Sequence, residues 1–465
     1  MNLYINNVLR AYFVAGLFIF LFFLDQISDR TSFIFSYHFV TVVLMFIFHF
    51  YNTNFNKNFG LSHLLLTVGI ISAVYIVLNN IISYIYRENF FVFNEADALE
   101  YHNLAIGLMD GNYTIGEVLK QYRATNLDFS DYGMIYFTYI NYLIFESNLM
   151  VNFSFWVIGL FSTRFMYHIS LNFVDKKHAY LATLFLFSSS FIQWFNSSGL
   201  KEPIMIFLIL MSYFYFYKYL KNKGLTYFLM IIAPLVLLLF FRPAVTLFIL
   251  FGYFFYFFLQ MRVNKYFKNF IILAFVLLFV STNVVKSEFE KYTGGGTDQM
   301  IENLQVEEGM VKGGGLVFNY IVNIIASIFG VFPTVYTDAN FGIHKILSVD
   351  NRLLLSFHYP GLMLKVFFST AFLVGFYYSI KNRIVLLIPI TVFFITEMFA
   401  LIFTLEALEL RKSLPHFIWF YLFIFYGIYL IEQKNIFAKY KSIFSTVNNL
   451  LLIVYFTLII FWNLR

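Results

Sequence analysis

The sequence predicts an all-α polytopic membrane protein, and three observations carry that prediction. Of its 465 residues, 60% are hydrophobic and 12% charged, about half the charged share of an ordinary soluble chain. Apolar runs approaching the roughly 17–25 residues that cross a bilayer as a helix recur from end to end. The basic residues between them gather in every second loop, which is how membrane helices are oriented.

The runs fall near 10–24, 33–50, 62–86, 150–173, 179–195, 203–219, 226–241, 244–260, 269–285, 359–379, 384–403, 414–431 and 447–463, about 13 spans by the length rule. Two more, 133–146 and 316–333, are ambiguous. Loop charge decides between the alternatives. With a cytoplasmic N-terminus and neither run crossing, Lys57, Lys176-Lys177, Lys218/Lys221/Lys223, Arg262/Lys265/Lys268, Lys381/Arg383 and Lys434/Lys439/Lys441 all fall in cytoplasmic loops. A crossing by 133–146 alone would invert every loop from Lys176 to Lys268. Both ambiguous runs are therefore expected along the surface, or re-entering it against protein. The run from Ala11 to Leu24 lacks a small-residue cleavage site, so it reads as a retained helix and not a signal peptide. The expected organisation is a single transmembrane domain over 1–465. Two large extracytoplasmic loops interrupt it, 87–132 with surface helices and 286–358.

Composition also excludes. There is no cysteine, hence no disulfide, thiolate metal site or cysteine nucleophile. The nine histidines show no HExxH or comparable spacing, which argues against a histidine metal centre. The net charge of +6 comes from scattered loop lysines, a pattern of membrane orientation that speaks against a nucleic-acid partner. No repeat or nucleotide-binding glycine pattern is present. Glycine triplets at 294–296 and 313–315 bracket an acidic stretch; this reads as a flexible loop, or as a lid with glycine hinges.

The densest polar signal is Asn94-Glu95-Ala96-Asp97-Ala98-Leu99-Glu100-Tyr101-His102. As a helix, Tyr101, Leu104, Ala105 and Leu108 form one apolar stripe, with Asp97 one turn earlier on the same face and Glu95 just before it. Asn94 capping the helix, with acids in its first turn, accounts for the pattern structurally. A capped carboxylate is also a well-positioned one, so the two readings coexist. Lys201-Glu202-Pro203 follows a Ser/Gly turn and starts another helix, Pro203 suiting its first turn. Lys201 is a cation at the positive end of that helix, which makes sense if an anion sits there. Arg242-Pro243 joins two apolar runs with almost no loop, and Arg411-Lys412 precedes Pro415-His416 on the same side. Cations at helix ends suit a phosphate, which guanidinium matches bidentately, although Arg242 could simply snorkel to the surface.

Glu95-Ala96-Asp97 resembles the modified DXD signature of GT-C glycosyltransferases, and Tyr101-His102-Asn103-Leu104-Ala105 resembles the YHxLA continuation of bacterial members. The Gly199-Leu200-Lys201-Glu202 turn and the Arg242-Pro243 junction are further similarities. Glu409-Leu410-Arg411-Lys412-Ser413-Leu414-Pro415 is similar to a late R-Y-R-L-P helix entry, with Lys412 and Ser413 replacing the Tyr and second Arg. The pattern spans roughly 90–430 at superfamily level. Asp131-Tyr132-Gly133 stands where an HPPL-type motif would follow the first loop, which argues against the protein O-mannosyl and aminoarabinose branches. The resemblance implies a GT-C-like fold and inverting sugar transfer on the extracytoplasmic face of a bacterial cytoplasmic membrane. The donor would be a polyprenyl-phosphate-linked sugar, the acceptor a glycan or lipid-linked sugar of surface polysaccharide assembly. Asp97 would be the base, with Glu95 and Glu202 positioning the acceptor. Lys201, Arg242 and Arg411 would steady the leaving phosphate, and Tyr101 and His102 would touch the sugar. No cofactor is required with a monophosphate donor; a pyrophosphate donor would bring Mg²⁺ or Mn²⁺. Two rivals remain. A repeat-unit polymerase would be expected to carry an arginine-rich outer loop, which 286–315 is not. A lipid-linked oligosaccharide flippase or transporter would draw on Arg164, Lys365 and Glu397 within the spans.

Overall fold

The computed structural model describes residues 2–24, 29–92, 97–112, 114, 116–117, 131–261, 324, 349–381, 384–403, 413–433 and 449–450. All regular structure among these is helical. In chain order the helices are α1 (Asn2–Leu24), α2 (Asp29–Asn54), α3 (Leu61–Arg87), α4 (Asp97–Met109) and α5 (Tyr132–Tyr142). Next come α6 (Asn148–Ser170), α7 (Lys176–Phe187), α8 (Ser190–Ser197), α9 (Glu202–Asn222), α10 (Leu225–Leu238) and α11 (Pro243–Gln260). After an undescribed stretch follow α12 (Val349–Phe367), α13 (Ser369–Lys381), α14 (Ile388–Phe403) and α15 (Leu414–Gln433).

Among the described residues, six helical segments are long and apolar enough to cross a membrane: α3, α6, α9, α11, the Val385–Ile402 segment and α15. A seventh is formed if the bent pair Pro360–Phe367 and Ser369–Lys381 counts as one span. The chain is a polytopic α-helical membrane protein. α3 shows what such a helix must do in lipid. Leu66, Ile70, Val74, Val77, Ile81 and Ile85 are exposed along one stripe, while Ser72, Asn79, Asn80 and Ser83 are buried on the other side. The buried polar groups link helices: Asn79 accepts from the Tyr37 hydroxyl (2.7 Å) and donates to Ser197 Oγ (2.9 Å), and Asn152 donates to Asn80 (3.2 Å). Between helices in a bilayer such bonds replace the hydrophobic drive that lipid cannot supply.

α15 is the opposite case, apolar all round and buried along almost its whole length, as a helix enclosed by others must be. Close approach explains how α13 lies on it. A Cβ on Gly375 would run into the Phe423 carbonyl, and one on Gly427 into the Ala371 carbonyl, so small residues let the two backbones touch.

Three expectations need revision. The single span predicted over 179–195 is two helices, broken at Ser188-Ser189. Ser188 Oγ donates to Leu184 O and contacts His49 Nε2 at 2.9 Å, local bonding of the kind that lets serine end a helix. The span over 359–379 bends by 63° at Phe368. α10 has 14 residues, about 21 Å of helix and short of a bilayer's core. In contrast, α5 has 11 residues, too short to cross, in keeping with the surface or re-entrant placement argued from loop charge. The runs at 269–285, 316–333 and 447–463 lie outside the described residues apart from 324 and 449–450, as does the loop expected over 286–358 apart from 324 and its last ten residues, which are the start of α12.

Candidate functional site

Four short elements converge where α4, α5 and α9 begin. The loop before α4 is fixed from two sides. Val92 N–H donates to Ser83 Oγ of α3 (3.0 Å), and Asn148 of α6 donates to Phe90 O (2.7 Å). Gly199, in the turn before α9, has φ +71, a left-handed conformation suited to glycine. A Cβ there would lie 2.8 Å from Asn148 Oδ1 and 3.4 Å from Ala98 Cβ. The turn carrying Lys201 is thereby wedged against the first residues of α4, where Asp97 sits.

α5 supplies the link between them. The Tyr101 hydroxyl donates to Asp131 Oδ1 (2.8 Å), and Lys201 Nζ donates to the same oxygen at 2.6 Å. The side chains of Lys201 and Asp131 are 12% and 18% exposed, so this charge-assisted bond sits largely out of water. Tyr101 is buried, and burial first, then the charges of Asp131 and Asp97, hold its ionisation well above the ordinary range. Glu202 adds to the same field. Tyr101 is thus a neutral hydroxyl donor bonded to Asp131, within the electrostatic field of Asp97 and Glu202.

Arg242 reaches this neighbourhood through backbone contact. Gly133 N–H donates to Phe240 O (3.0 Å), and a Cβ on Gly133 would lie 2.7 Å from the Phe241 ring. The start of α5 is therefore pressed onto the α10–α11 junction, two residues after Asp131. The Arg242 guanidinium lies within electrostatic reach of Glu397, a buried residue of α14. Snorkelling alone does not describe it.

The expected site residues divide accordingly. Asp97, Tyr101, Lys201 and Glu202 come together, and Arg242 is adjacent. His102 turns elsewhere: its Nδ1 contacts the Tyr142 hydroxyl at 2.7 Å and its ring packs on Phe91. Tyr142 ends an 11-residue helix whose start meets Tyr101, so the two neighbouring side chains diverge towards points about 16 Å apart. Glu95, Arg411 and Lys412 lie outside the described residues. Sequence reasoning did not place Asp131 in the site. The signal was Lys201, whose unfavourable position asked for an anion; Asp131 is that anion. Among the described residues no three His, Asp or Glu side chains converge as a ligand set for a metal ion.

Fold and site define a class: an α-helical membrane protein with an acid–cation cluster at the starts of several helices. Comparison with family models and with curated proteins gives no match to this chain.

Proposed function

We propose that the chain is an inverting membrane glycosyltransferase of the GT-C kind, with about 13 spans by the length rule. It would move a sugar from a polyprenyl-phosphate donor to a glycan or lipid-linked acceptor at the extracytoplasmic face of a bacterial cytoplasmic membrane. The observation that supports this reading is the meeting of Asp97, Tyr101, Asp131, Lys201 and Glu202 at one end of the helices. Asp97 takes the proton of the acceptor hydroxyl as its oxygen attacks the anomeric carbon. The bond from that carbon to the phosphate oxygen breaks, and its electron pair leaves with the phosphate. Lys201 and Arg242 face the growing charge. Asp131 holds Lys201 in place beforehand, so the phosphate enters as an added partner of a group already positioned. The Tyr101 hydroxyl, whose one proton goes to Asp131, has lone pairs left to accept from a sugar hydroxyl. With a monophosphate donor no cofactor is required; with a pyrophosphate donor, Glu95 and Glu202 would be the oxygen ligands of Mg²⁺ or Mn²⁺.

Asp97→Asn tests the proposal. A positioned general base contributes about 10²–10⁴ in rate, so glycan transfer should fall by that much while the protein still inserts. Lipid extracts should then accumulate a lipid-linked donor. Unchanged transfer with no stalled intermediate would refute the assignment. A flippase is the second reading, favoured by the break at Phe368 and by buried Lys365 beside it; it predicts that Asp97→Asn keeps most activity.

A further inference from the structure

The other end of α8 holds a second constellation. On α12, His358, Gly361 and Lys365 lie at i, i+3 and i+7, one face of the helix. That face is pressed onto the start of α8. Gly361 N–H donates to Ser190 Oγ (2.9 Å), and a Cβ on Gly361 would collide with Ser189 Oγ. Lys365 is 1% exposed. Its Nζ lies 5.1 Å from the Phe417 ring centroid and 4.3 Å from that of Phe420, both on α15. No carboxylate among the described residues pairs with it.

Phe417 is the hub that gathers the rest. It packs on Phe191, which packs on His358, which in turn meets Trp194 at 4.3 Å; Tyr421, one turn further along α15, meets the Phe417 ring edge-on. Ser189 Oγ, Trp194 Nε1, His358 Nδ1 and the Tyr421 hydroxyl are all buried without a hydrogen-bond partner. Every one of these groups can donate, and none is an acid. A structural use for Lys365 at the C-terminal end of α12 is already partly met. Phe368 N–H donates to Lys365 O and Ser369 Oγ to Val366 O, so two of the carbonyls freed by the break have partners.

We propose that this junction of α8, α12 and α15 is an oxyanion site within the membrane domain, centred on Lys365, for a phosphate-type group. A buried cation joined through Phe417 and Phe191 to several buried donors, with no acid paired to it among the described residues, matches one kind of ligand. Broken membrane helices are also where transported or bound ions are commonly held. The site is separate from the Asp131–Lys201 pair, and the inference stands whether or not the chain transfers sugar.

The test uses the full chain in zwitterionic nanodiscs, titrated with inorganic phosphate and, separately, with a polyprenyl monophosphate. The readout is tryptophan fluorescence, since Trp194 lines the junction. Saturable change is expected in the wild type. Lys365→Met should weaken it about tenfold or more, and Lys365→Arg should restore most of it, as a charge-assisted bond predicts. Saturation by both probes identifies a free oxyanion as sufficient, and saturation by the lipid alone identifies a lipid-borne phosphate. If Lys365→Met does not give monodisperse protein, Ser189→Ala/Tyr421→Phe keeps the charge and removes two donors, and it should weaken binding about fivefold or more. Absence of saturable binding to either probe in the wild type overturns the proposal. So does equal affinity in Lys365→Met, or in the double variant where that replaces it.

Discussion

The two ends of α8 handle charge in opposite ways. Beyond its C-terminal end, Lys201 shares an oxygen with Tyr101 on Asp131. At its N-terminal end, Lys365 rests on two phenylalanine rings, near buried groups that can donate and have no hydrogen-bond partner. α8 has eight residues, so these regimes are separated by about 12 Å of helix. A cation neutralised by its own protein is fixed in place and ready to be shared. A buried cation with no acid beside it is costly until something anionic arrives. The first arrangement suits positioning for chemistry, and the second suits capture.

Breaking the pair is the most severe way to test this contrast. Asp131→Asn leaves Lys201 without its carboxylate, and removing one partner of a buried pair costs about 3–5 kcal/mol. The pair keeps some contact with water, so about 3 kcal/mol is the expected loss in thermal unfolding of the detergent-solubilised chain. Adding Lys201→Met should return most of it, because the stranded charge is then gone. If the double variant loses the sum of both singles, the two side chains act independently and the contrast disappears.

Lys365→Met should behave differently. With no acid partner among the described residues to strand, replacing this lysine by an apolar chain of similar length should change stability by less than about 1 kcal/mol, or raise it. A loss as large as that of Lys201→Met would show that the wild-type protein already satisfies Lys365 internally.

How far the sequence reveals these regions follows from what kind of information each needs. The apolar stripe of α4 was readable because helical spacing is local: Tyr101, Leu104 and Ala105 are buried as their period requires. Lys201 was legible as a cation awaiting an anion, from helix polarity alone. Its partner was not, since Asp131 stands 70 residues earlier and only tertiary packing joins them. Arg242 and Glu397 were likewise visible as unusual charges, but not as two charges within electrostatic reach of each other. The break after α7 had a signal in the Ser188-Ser189-Ser190 run, masked by the apolar residues around it. The bend at Phe368 has neither glycine nor proline at the break, and Pro360 lies inside α12; composition hides it.

The gentlest probe is pH, which should act on the region around α4 through His102. Burial lowers its pKa below the ordinary 6.5, with the Glu146 charge opposing that shift. The unfolded chain therefore takes up a proton at higher pH than the folded one. The stabilisation is present above about pH 6.5 and is lost as pH falls through the folded value. Unfolding temperature should thus decline from pH 7 to 5, and His102→Gln should flatten that decline. Glu146→Gln should steepen it, because the opposing acid is removed and the gap between folded and unfolded states widens. A decline of equal slope in all three proteins would place the responsible group elsewhere, and the divergence of His102 from Tyr101 would then have no consequence for pH.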